Sequence, residues 1–180
     1  MHINKIEIAR RFAFYCHKNV NHLYDGKPYE THLDAVGEIA KKYIYLIPSK
    51  DRDNVLGAIY LHDTIEDTRR TYNDIVKNSN KYVADLVYAV TTEKGKNRAQ
   101  RANSKYYKDI RHTEYATFIK LCDRIANIEY GKSKGSSMFN TYKKEHNKFV
   151  KSLKKSWWER LWYKENNYKP LFDHLEKLML

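Results

Sequence analysis

The sequence is poor in cysteine and has no long apolar run. Its 180 residues include two cysteines, Cys16 and Cys122, which are too few for the disulfide framework of small secreted proteins. Nowhere do about eighteen apolar residues follow one another, so we expect no membrane-spanning helix. The first residues, from Met1 to Lys5, lack the apolar stretch of a signal peptide. We therefore expect a cytoplasmic protein with packed, free thiols that does not associate with a membrane.

The overall composition is that of a folded globular protein with an excess of positive charge. Charged residues make up 31% of the chain and aromatic residues 14%, which argues against a disordered protein. The length suits one domain with a sizeable core. The formal net charge of +12 favours an anionic partner, such as a polyphosphorylated nucleotide, RNA or an acidic surface, because opposite charges attract at long range.

Apolar residues recur at three- and four-residue spacing, which predicts an all-α protein. The turn signal Asp25-Gly26 places a loop over 21–28, and Thr71 with Asp74 is a variant of the helical capping box. Asp51 or Asp53 is the expected cap of the helix that runs into His62. Helices are predicted over about 4–19, 33–47, 51–63, 81–90, 103–111 and 113–130.

The most informative segment is the run HDTIEDT at positions 62–68, within a stretch that is otherwise predicted to be helical. His62 and Asp63 offer an imidazole and a carboxylate to a metal. On a helix, Glu66 follows His62 by four positions and Asp67 follows Asp63 by four, so the acids would share a face with the donors. This arrangement suits hydrolysis, in which carboxylates orient a water and take its proton. Alone, the run is equally compatible with a solvated charged face.

Two other segments add candidate metal ligands. His32 follows a turn in GKPYETHLD (26–34), and Asp123 lies among apolar residues in IKLCDRIAN (119–127). The three segments supply His, His-Asp and Asp in the order of the HD hydrolase superfamily. Two imidazoles and two carboxylates suit Mn, Fe, Co, Ni or Zn rather than Ca. The alternative is that His32 only caps a helix and that Asp123 only neutralises Arg124.

The phrases GKPYETH, LHDTIEDT and IKLCDRIANI, with VADLVYAVT between them, resemble the hydrolase domain of RelA/SpoT-type alarmone enzymes and the small alarmone hydrolases. The resemblance covers roughly residues 9–150. It implies a single HD-domain helical bundle with a metal site between central helices, which we place over 1–155. The spacing of apolar residues beyond it predicts a C-terminal helical extension over 156–180, packed on the same domain. The resemblance also implies one divalent metal, usually manganese. The implied roles are metal ligation by His32, His62, Asp63 and Asp123, and activation of the attacking water by Glu66 and Asp67.

Candidate substrate contacts lie in two regions. Lys120 and Asn127 share a stripe of the predicted helix with Asp123. The resemblance places an asparagine like Asn127 against the substrate, whereas Lys120 is either a substrate contact or a tie between helices. The basic segment that contains Arg98 and Arg101 would lie beside the substrate phosphates, by the same resemblance. The alternative for each of its basic residues is a solubilising surface.

The chain departs from the family pattern in two places. Family members usually carry an Arg-Lys pair before the PYxxH phrase, with the Arg stacked on guanine, but residues 21–26 contain no Arg. Tyr24 or His22 is the candidate replacement, because every base presents a flat face. Tyr130 stands where a Thr is common and would reshape the wall around the ribose or phosphates. These changes leave the metal chemistry intact and put guanine specificity in doubt.

The segment 156–180 lies outside the strong resemblance. An aromatic stripe at helical spacing favours core packing against the first helix, and a dimer or partner surface is the alternative. The sequence leaves the oligomeric state open. The residues of the stripe are Trp157, Trp158, Leu161 and Trp162.

Together these patterns predict a metal-dependent nucleotide pyrophosphohydrolase that removes the 3′-pyrophosphate from ppGpp, pppGpp or a related alarmone. A related interpretation is an HD phosphohydrolase that acts on another nucleotide or on a pyrophosphorylated RNA end. The interpretation outside enzymes is an HD scaffold that binds RNA through its basic surface or neutralises a toxin. The complete set of ligands and acids argues against that scaffold, since a pure binder has no need of them.

Overall fold

The computed structural model describes residues 4–162 and 167–180, and these are almost entirely helical. The all-α prediction is confirmed. Two 3-10 turns, Ile44–Leu46 and Ser49–Asp51, precede α3. The helices are α1 (Lys5–Asn19), α2 (Glu30–Tyr43), α3 (Arg52–Leu61), α4 (Thr64–Asp67), α5 (Tyr72–Asn78), α6 (Lys81–Val90), α7 (Arg98–Arg101), α8 (Ser104–His112), α9 (Ala116–Ser133), α10 (Ser137–Leu153), α11 (Trp157–Trp162) and α12 (Lys169–Met179).

Several helices begin where short polar side chains cap them. The Asn4 side chain accepts a hydrogen bond from the backbone N–H of Ile6 at the start of α1. Thr71 and Asp74 form the reciprocal capping box of α5 that the sequence predicts. Asp51 precedes α3 as expected, but its side chain makes no capping hydrogen bond. Its carboxylate instead accepts a hydrogen bond of 2.8 Å from the Tyr115 hydroxyl.

The segment predicted as a loop before the second helix contains a small β-hairpin. Strands β1 (Leu23–Tyr24) and β2 (Lys27–Pro28) pair antiparallel, with Tyr24 opposite Lys27. Asp25 (φ 52°) and Gly26 (φ 74°) both adopt the left-handed conformation, which two-residue hairpin turns require. The prediction of the turn is therefore confirmed, and the prediction of irregular structure around it is wrong.

The helix predicted to run through the HDTIEDT segment is interrupted. Helix α3 ends at Leu61 and α4 begins at Thr64, so His62 and Asp63 lie at the junction between the two helices. The prediction that these residues share one continuous helical face with Glu66 and Asp67 is wrong. The spatial relation of the two pairs comes from this junction and from the packing of α4 against α1 and α6.

Helix α9 lies at the centre of the bundle. It packs against α2, α3, α6, α8, α10 and α12, and even its polar residues Asp123 and Arg124 are buried. Burial of each large apolar side chain contributes roughly 1.5–3 kcal/mol. Cys16 and Cys122 are buried and free, in agreement with the prediction of packed thiols. The apolar side chains of α9 in the core are Phe118, Ile119, Leu121, Cys122, Ile125 and Ile128.

The two C-terminal helices behave differently. Helix α12 packs on α9 through the buried residues Leu171, Leu175 and Met179. By contrast, Trp157 and Trp158 are 62% and 60% exposed and stack on each other with ring centroids 3.7 Å apart.

The aromatic stripe of α11 therefore does not pack in the core, and that prediction is wrong for Trp157, Trp158 and the exposed Leu161. The side chain of Trp162 lies outside the described residues. The domain boundary at residue 155, between α10 and α11, remains a prediction. In the described parts of the chain, every helix falls short of the length or apolar character that crossing a bilayer demands.

Candidate metal and substrate site

Four side chains from three parts of the fold converge beside α9. His32 lies near the start of α2, His62 and Asp63 lie at the α3–α4 junction, and Asp123 lies within α9. The Nε2 atom of His32 is 3.5 Å from Asp63 Oδ2 and 3.4 Å from Asp123 Oδ1. The Nε2 atom of His62 is 3.0 Å and 3.8 Å from the same two oxygens. The structure thus brings together the four residues that the sequence motifs single out.

The geometry of this cluster fits a divalent metal ion. Donor atoms of His32, His62 and Asp123, all buried, lie within 4.8 Å of one another. The His62 Nδ1 atom lies 2.7 Å from the carbonyl oxygen of Ile59; because a carbonyl can only accept, Nδ1 donates to it, and Nε2 is the nitrogen that faces the two carboxylates. That Nε2 atom is buried without a hydrogen-bond partner. A cation would satisfy it, and the nitrogen and oxygen donors suit a transition metal.

Neighbouring side chains hold both carboxylates of the cluster. Asp63 accepts a hydrogen bond from the hydroxyl of Tyr29. Asp123 accepts one of 2.7 Å from Lys120 Nζ and one of 2.5 Å from Asn127 Nδ2. Burial alone would raise the pKa of Asp123, but Lys120 and the two imidazoles outweigh it and hold this pKa well below its usual range. The carboxylate is therefore ionised and oriented for ligation.

The two acids after the junction have different surroundings. Glu66 accepts hydrogen bonds from the backbone N–H of Thr92 (3.0 Å) and from its hydroxyl (2.7 Å), so it is anchored to the chain that leaves α6. Asp67 is exposed at the surface, and desolvation of its carboxylate together with repulsion from Asp63 and Glu66 raises its pKa to about 7. Glu66 is thus fixed in place, whereas the ionisation of Asp67 depends on the charges of the carboxylates around it.

A cavity of about 210 Å³ opens above the cluster and has a basic wall. His32, Asp63, Glu66 and Asp123 are among the residues that line it. Of the predicted substrate contacts, Asn127, Lys120, Arg98 and Arg101 line it. Lys120 and Asn127 are also hydrogen-bonded to Asp123, so both hold a candidate ligand as well as facing the cavity.

The two tyrosines predicted to contact the substrate, Tyr24 and Tyr130, do not line the cavity, and other protein groups hold them. The Tyr24 hydroxyl donates a 3.0 Å hydrogen bond to Asn127, and its ring stacks on His32 at 4.9 Å between centroids. The Tyr130 hydroxyl donates to Asp25 (2.8 Å). The β1–β2 hairpin is thereby tied to the end of α9.

Several residues of the site were missed by the sequence reasoning. Arg124 does not neutralise Asp123, which is the alternative raised above; it pairs with Glu145 of α10 (3.2 Å) and lines the cavity. Tyr29 belongs to the PYxxH phrase, so that motif could have pointed to it. Thr92 and Glu145 carried no signal, because their partners are 26 and 21 residues away.

Comparison with known proteins identifies the family. A model of the HD domain matches residues 9–149. The chain belongs to the HD-domain family. This confirms the recognition made from the sequence motifs, and the confirmed fold class agrees with it.

The relatives found by sequence include MESH1 proteins of two animals, and the similar solved structure is that of a metazoan SpoT ortholog. The guanosine-3′,5′-bis(diphosphate) 3′-pyrophosphohydrolase MESH1 of Danio rerio is 29% identical over 118 residues, which are 65% of this chain and 63% of that protein. MESH1 of Drosophila melanogaster is 32% identical over 76 residues, or 42% of each chain. The match thus spans less than two thirds of these curated relatives.

A solved structure of a metazoan SpoT ortholog, described as hydrolysing ppGpp and acting in starvation responses, superposes with a TM-score of 0.72 at 22% identity. The superposition covers 99% of this chain and 95% of that chain. At this level of identity the likeness shows a shared fold.

Proposed function

We propose that this chain is a metal-dependent nucleotide pyrophosphohydrolase that removes the 3′-pyrophosphate from ppGpp or a related alarmone. The observation that carries the proposal is the convergence of His32, His62, Asp63 and Asp123, with Glu66 and Asp67 following within four residues of Asp63. His32, Asp63, Glu66 and Asp123 line a cavity that Arg98, Arg101, Lys120 and Arg124 also line. The activity named for the MESH1 relatives supports it.

The four clustered side chains would hold one divalent cation. When bound, the cation supplies a lowered pKa for the attacking water and compensation for charge on the phosphoryl oxygens. We propose manganese as the resident ion, because the family resemblance implies it and the donor set suits it together with Fe, Co, Ni and Zn. Tyr29, Lys120 and Asn127 would keep the ligand carboxylates oriented.

Asp67 and Glu66 would have different roles toward the attacking water. Asp67 would take the proton of the attacking water as the general base; the family resemblance assigns activation of this water to Glu66 and Asp67. Glu66, held by both hydrogen bonds from Thr92, would accept a hydrogen bond from the same water and direct it at the phosphorus joined to the ribose 3′ oxygen. Holding the water in a fixed orientation toward the phosphorus lowers the activation free energy, because less entropy is lost in reaching the transition state.

The basic wall would bind the phosphates. Arg98, Arg101, Arg124 and Lys120 line the cavity and would stabilise charge that accumulates on the phosphoryl oxygens during attack. Asn127 would contact the nucleotide as well as Asp123. Tyr24, which donates to Asn127, and Tyr130, whose ring centroid lies 4.8 Å from that of Tyr24, would shape the space around the base and ribose. Because residues 21–26 lack the Arg that stacks on guanine in the family, we leave the base open to adenine as well as guanine.

We propose that the protein acts in the cytoplasm as an enzyme of the stringent response. Free buried cysteines fit a reducing compartment. The net charge of +12 would attract the anionic substrate and offers a surface for RNA contact. Salt-sensitive binding of RNA in the absence of any turnover would favour the binding scaffold instead.

A pyrophosphate-release screen tests the proposal. Purified protein is incubated with Mn²⁺ and with ppGpp, pppGpp, their adenine analogues and ordinary nucleoside triphosphates. We expect pyrophosphate from at least one 3′-pyrophosphorylated nucleotide and none from the triphosphates. Release from none of the alarmones would refute the proposal.

An Asp67→Asn variant tests the role of the acid. It should keep its bound metal and lose activity by roughly 10²–10⁴-fold, the usual contribution of a general base. Full activity of this variant would contradict the assignment of Asp67. The variant also distinguishes loss of proton transfer from loss of metal, because its metal content is measured on the same preparation.

A further inference from the structure

Two arginines on the basic wall of the cavity share one carboxylate. Arg98 of α7 donates from Nε to Glu145 Oε1 at 2.8 Å, and Arg124 of α9 donates from Nη1 to Glu145 Oε2 at 3.2 Å. Glu145 lies on α10 and is two-thirds buried, with 33% of its side chain exposed. Both arginines line the cavity that His32, Asp63 and Asp123, three of the candidate metal ligands, also line. One carboxylate therefore links three helices at this wall.

Aromatic rings hold the same guanidinium groups from the side. The Arg124 guanidinium lies 4.1 Å from the ring centroid of Phe149 and 4.6 Å from that of Tyr142. The Arg98 guanidinium lies 5.3 Å from Tyr142. These cation–π contacts restrict the two cations, and Arg124 is only 7% exposed. The orientation of the arginines therefore does not depend on Glu145 alone.

The charges on the wall are unequally balanced. Lys120 pairs with Asp123 at 2.7 Å, whereas Arg98 and Arg124 share the single charge of Glu145. Within residues 4–162 and 167–180, no carboxylate pairs with the side chain of Arg101. Two positive charges on this wall are therefore left to attract an anion: the one charge of Arg98 and Arg124 that Glu145 does not neutralise, and the charge of Arg101.

We propose that Glu145 is a specificity-determining residue that limits how many phosphate charges this cavity accepts. By neutralising one of the two charges of Arg98 and Arg124, it lowers the gain in affinity from each further phosphate. The inference rests on the proposed nucleotide-binding function of the site. Glu145 acts through the two arginines. Among the described residues, its carboxylate makes no hydrogen bond to the four candidate metal ligands. It therefore changes nucleotide affinity rather than the chemical step.

The test removes the charge and keeps the shape. Glu145→Gln removes the negative charge and keeps the side-chain volume and one acceptor oxygen, while the other oxygen becomes an NH2 donor. Binding of guanosine 5′-mono-, di- and triphosphate, which differ only in phosphate number, is measured by calorimetry at low ionic strength, where screening is weakest. We expect the variant to bind the triphosphate roughly tenfold more tightly than the wild type does, and the monophosphate less than about threefold more tightly.

Glu7→Gln is the matched control. Glu7 is also a carboxylate between two arginines, at 2.8 Å from Arg11 and 3.9 Å from Arg10, but it lies on α1 and does not line the cavity. Its variant should bind all three nucleotides as the wild type does. Glu145→Asp keeps the charge and should keep the wild-type dependence on phosphate number, even if all three affinities change together.

The outcomes separate the inference from the proposed function. Equal behaviour of Glu145→Gln and Glu7→Gln, or equal weakening of all three nucleotides in Glu145→Gln, would overturn the role of Glu145. The same variant should change KM and leave kcat near the wild-type value in the pyrophosphate assay. A charge effect on binding in a protein that releases no pyrophosphate would support the inference and refute only the proposed function.

Discussion

Thr92 donates two hydrogen bonds to the carboxylate of Glu66, from its backbone N–H at 3.0 Å and from its hydroxyl at 2.7 Å. The two residues are 26 positions apart, and the contact links α4 to the chain that follows α6. A carboxylate that accepts two such bonds has little rotational freedom. The pairing therefore explains how Glu66, although it lies on a four-residue helix, is held in one orientation near the candidate metal ligands.

Thr92→Val should reduce catalysis without releasing the metal. The valine removes the hydroxyl donor and keeps the branched shape, and the backbone N–H bond remains. A hydrogen bond to a charged group contributes roughly 1.5–3 kcal/mol, so we expect kcat to fall by about one to two orders of magnitude with metal content unchanged. Steady-state kinetics and metal analysis check this result. Thr92→Ser, which keeps the hydroxyl, is the control, and a wild-type kcat in Thr92→Val would show that the anchor is dispensable.

The last helix is expected to be an integral part of the fold. Leu175 of α12 is fully buried against the core, whereas Leu161 of α11 is 65% exposed. Leu175→Ala should lower the free energy of unfolding by about 2–5 kcal/mol, because it leaves a cavity in the core. Leu161→Ala, the same substitution on the surface, should change it by less than about 0.5 kcal/mol. Urea denaturation measures both, and similar values for the two variants would argue that α12 is not part of the cooperative unit.

The stability of the protein should fall in acid partly because of His17. This residue is 1% exposed, and burial lowers its pKa from 6.5 to about 4. The unfolded chain takes up this proton near pH 6.5, but the folded chain takes it up only near pH 4. The stability that the neutral His17 contributes is therefore complete above about pH 6.5 and is lost as the pH falls toward 4, by up to about 3 kcal/mol.

His17→Phe isolates this effect. Phenylalanine keeps a flat ring against Tyr29, on which His17 stacks at 4.4 Å, but cannot be protonated. Urea unfolding between pH 7.5 and 4.5 should show a shallower loss of stability for the variant than for the wild type. Parallel curves for the two proteins would mean that His17 is not responsible for the acid sensitivity.

Local signals predicted much of the fold. The helix at Lys81–Val90 is predicted at its observed ends because its apolar periodicity is regular, and Asn80 caps it by accepting from the N–H of Val83. The break at His62–Asp63 could not be predicted, since the local sequence is compatible with a continuous helix. The exposed stripe of α11 was wrongly placed in the core, because helical spacing of aromatic residues is the same whether they face the core or solvent.

The candidate ligands could be recognised because each lies in a short motif, but the groups that orient them could not. Glu145 is an ordinary glutamate among lysines in the sequence, and only the folding of α10 against α9 brings it to Arg124. The pairing of Tyr24 with Asn127 likewise joins residues 103 positions apart. Such long-range polar contacts depend on the tertiary packing, so periodicity and motif spacing do not reveal them.

The most direct test of the account is an anomalous-diffraction map from a crystal of this protein grown with Mn²⁺. We expect one strong peak per chain, within coordination distance of His32, His62, Asp63 and Asp123, and its loss in crystals of Asp123→Ala. A map with no peak among these four side chains, or with its peak elsewhere, would contradict the account.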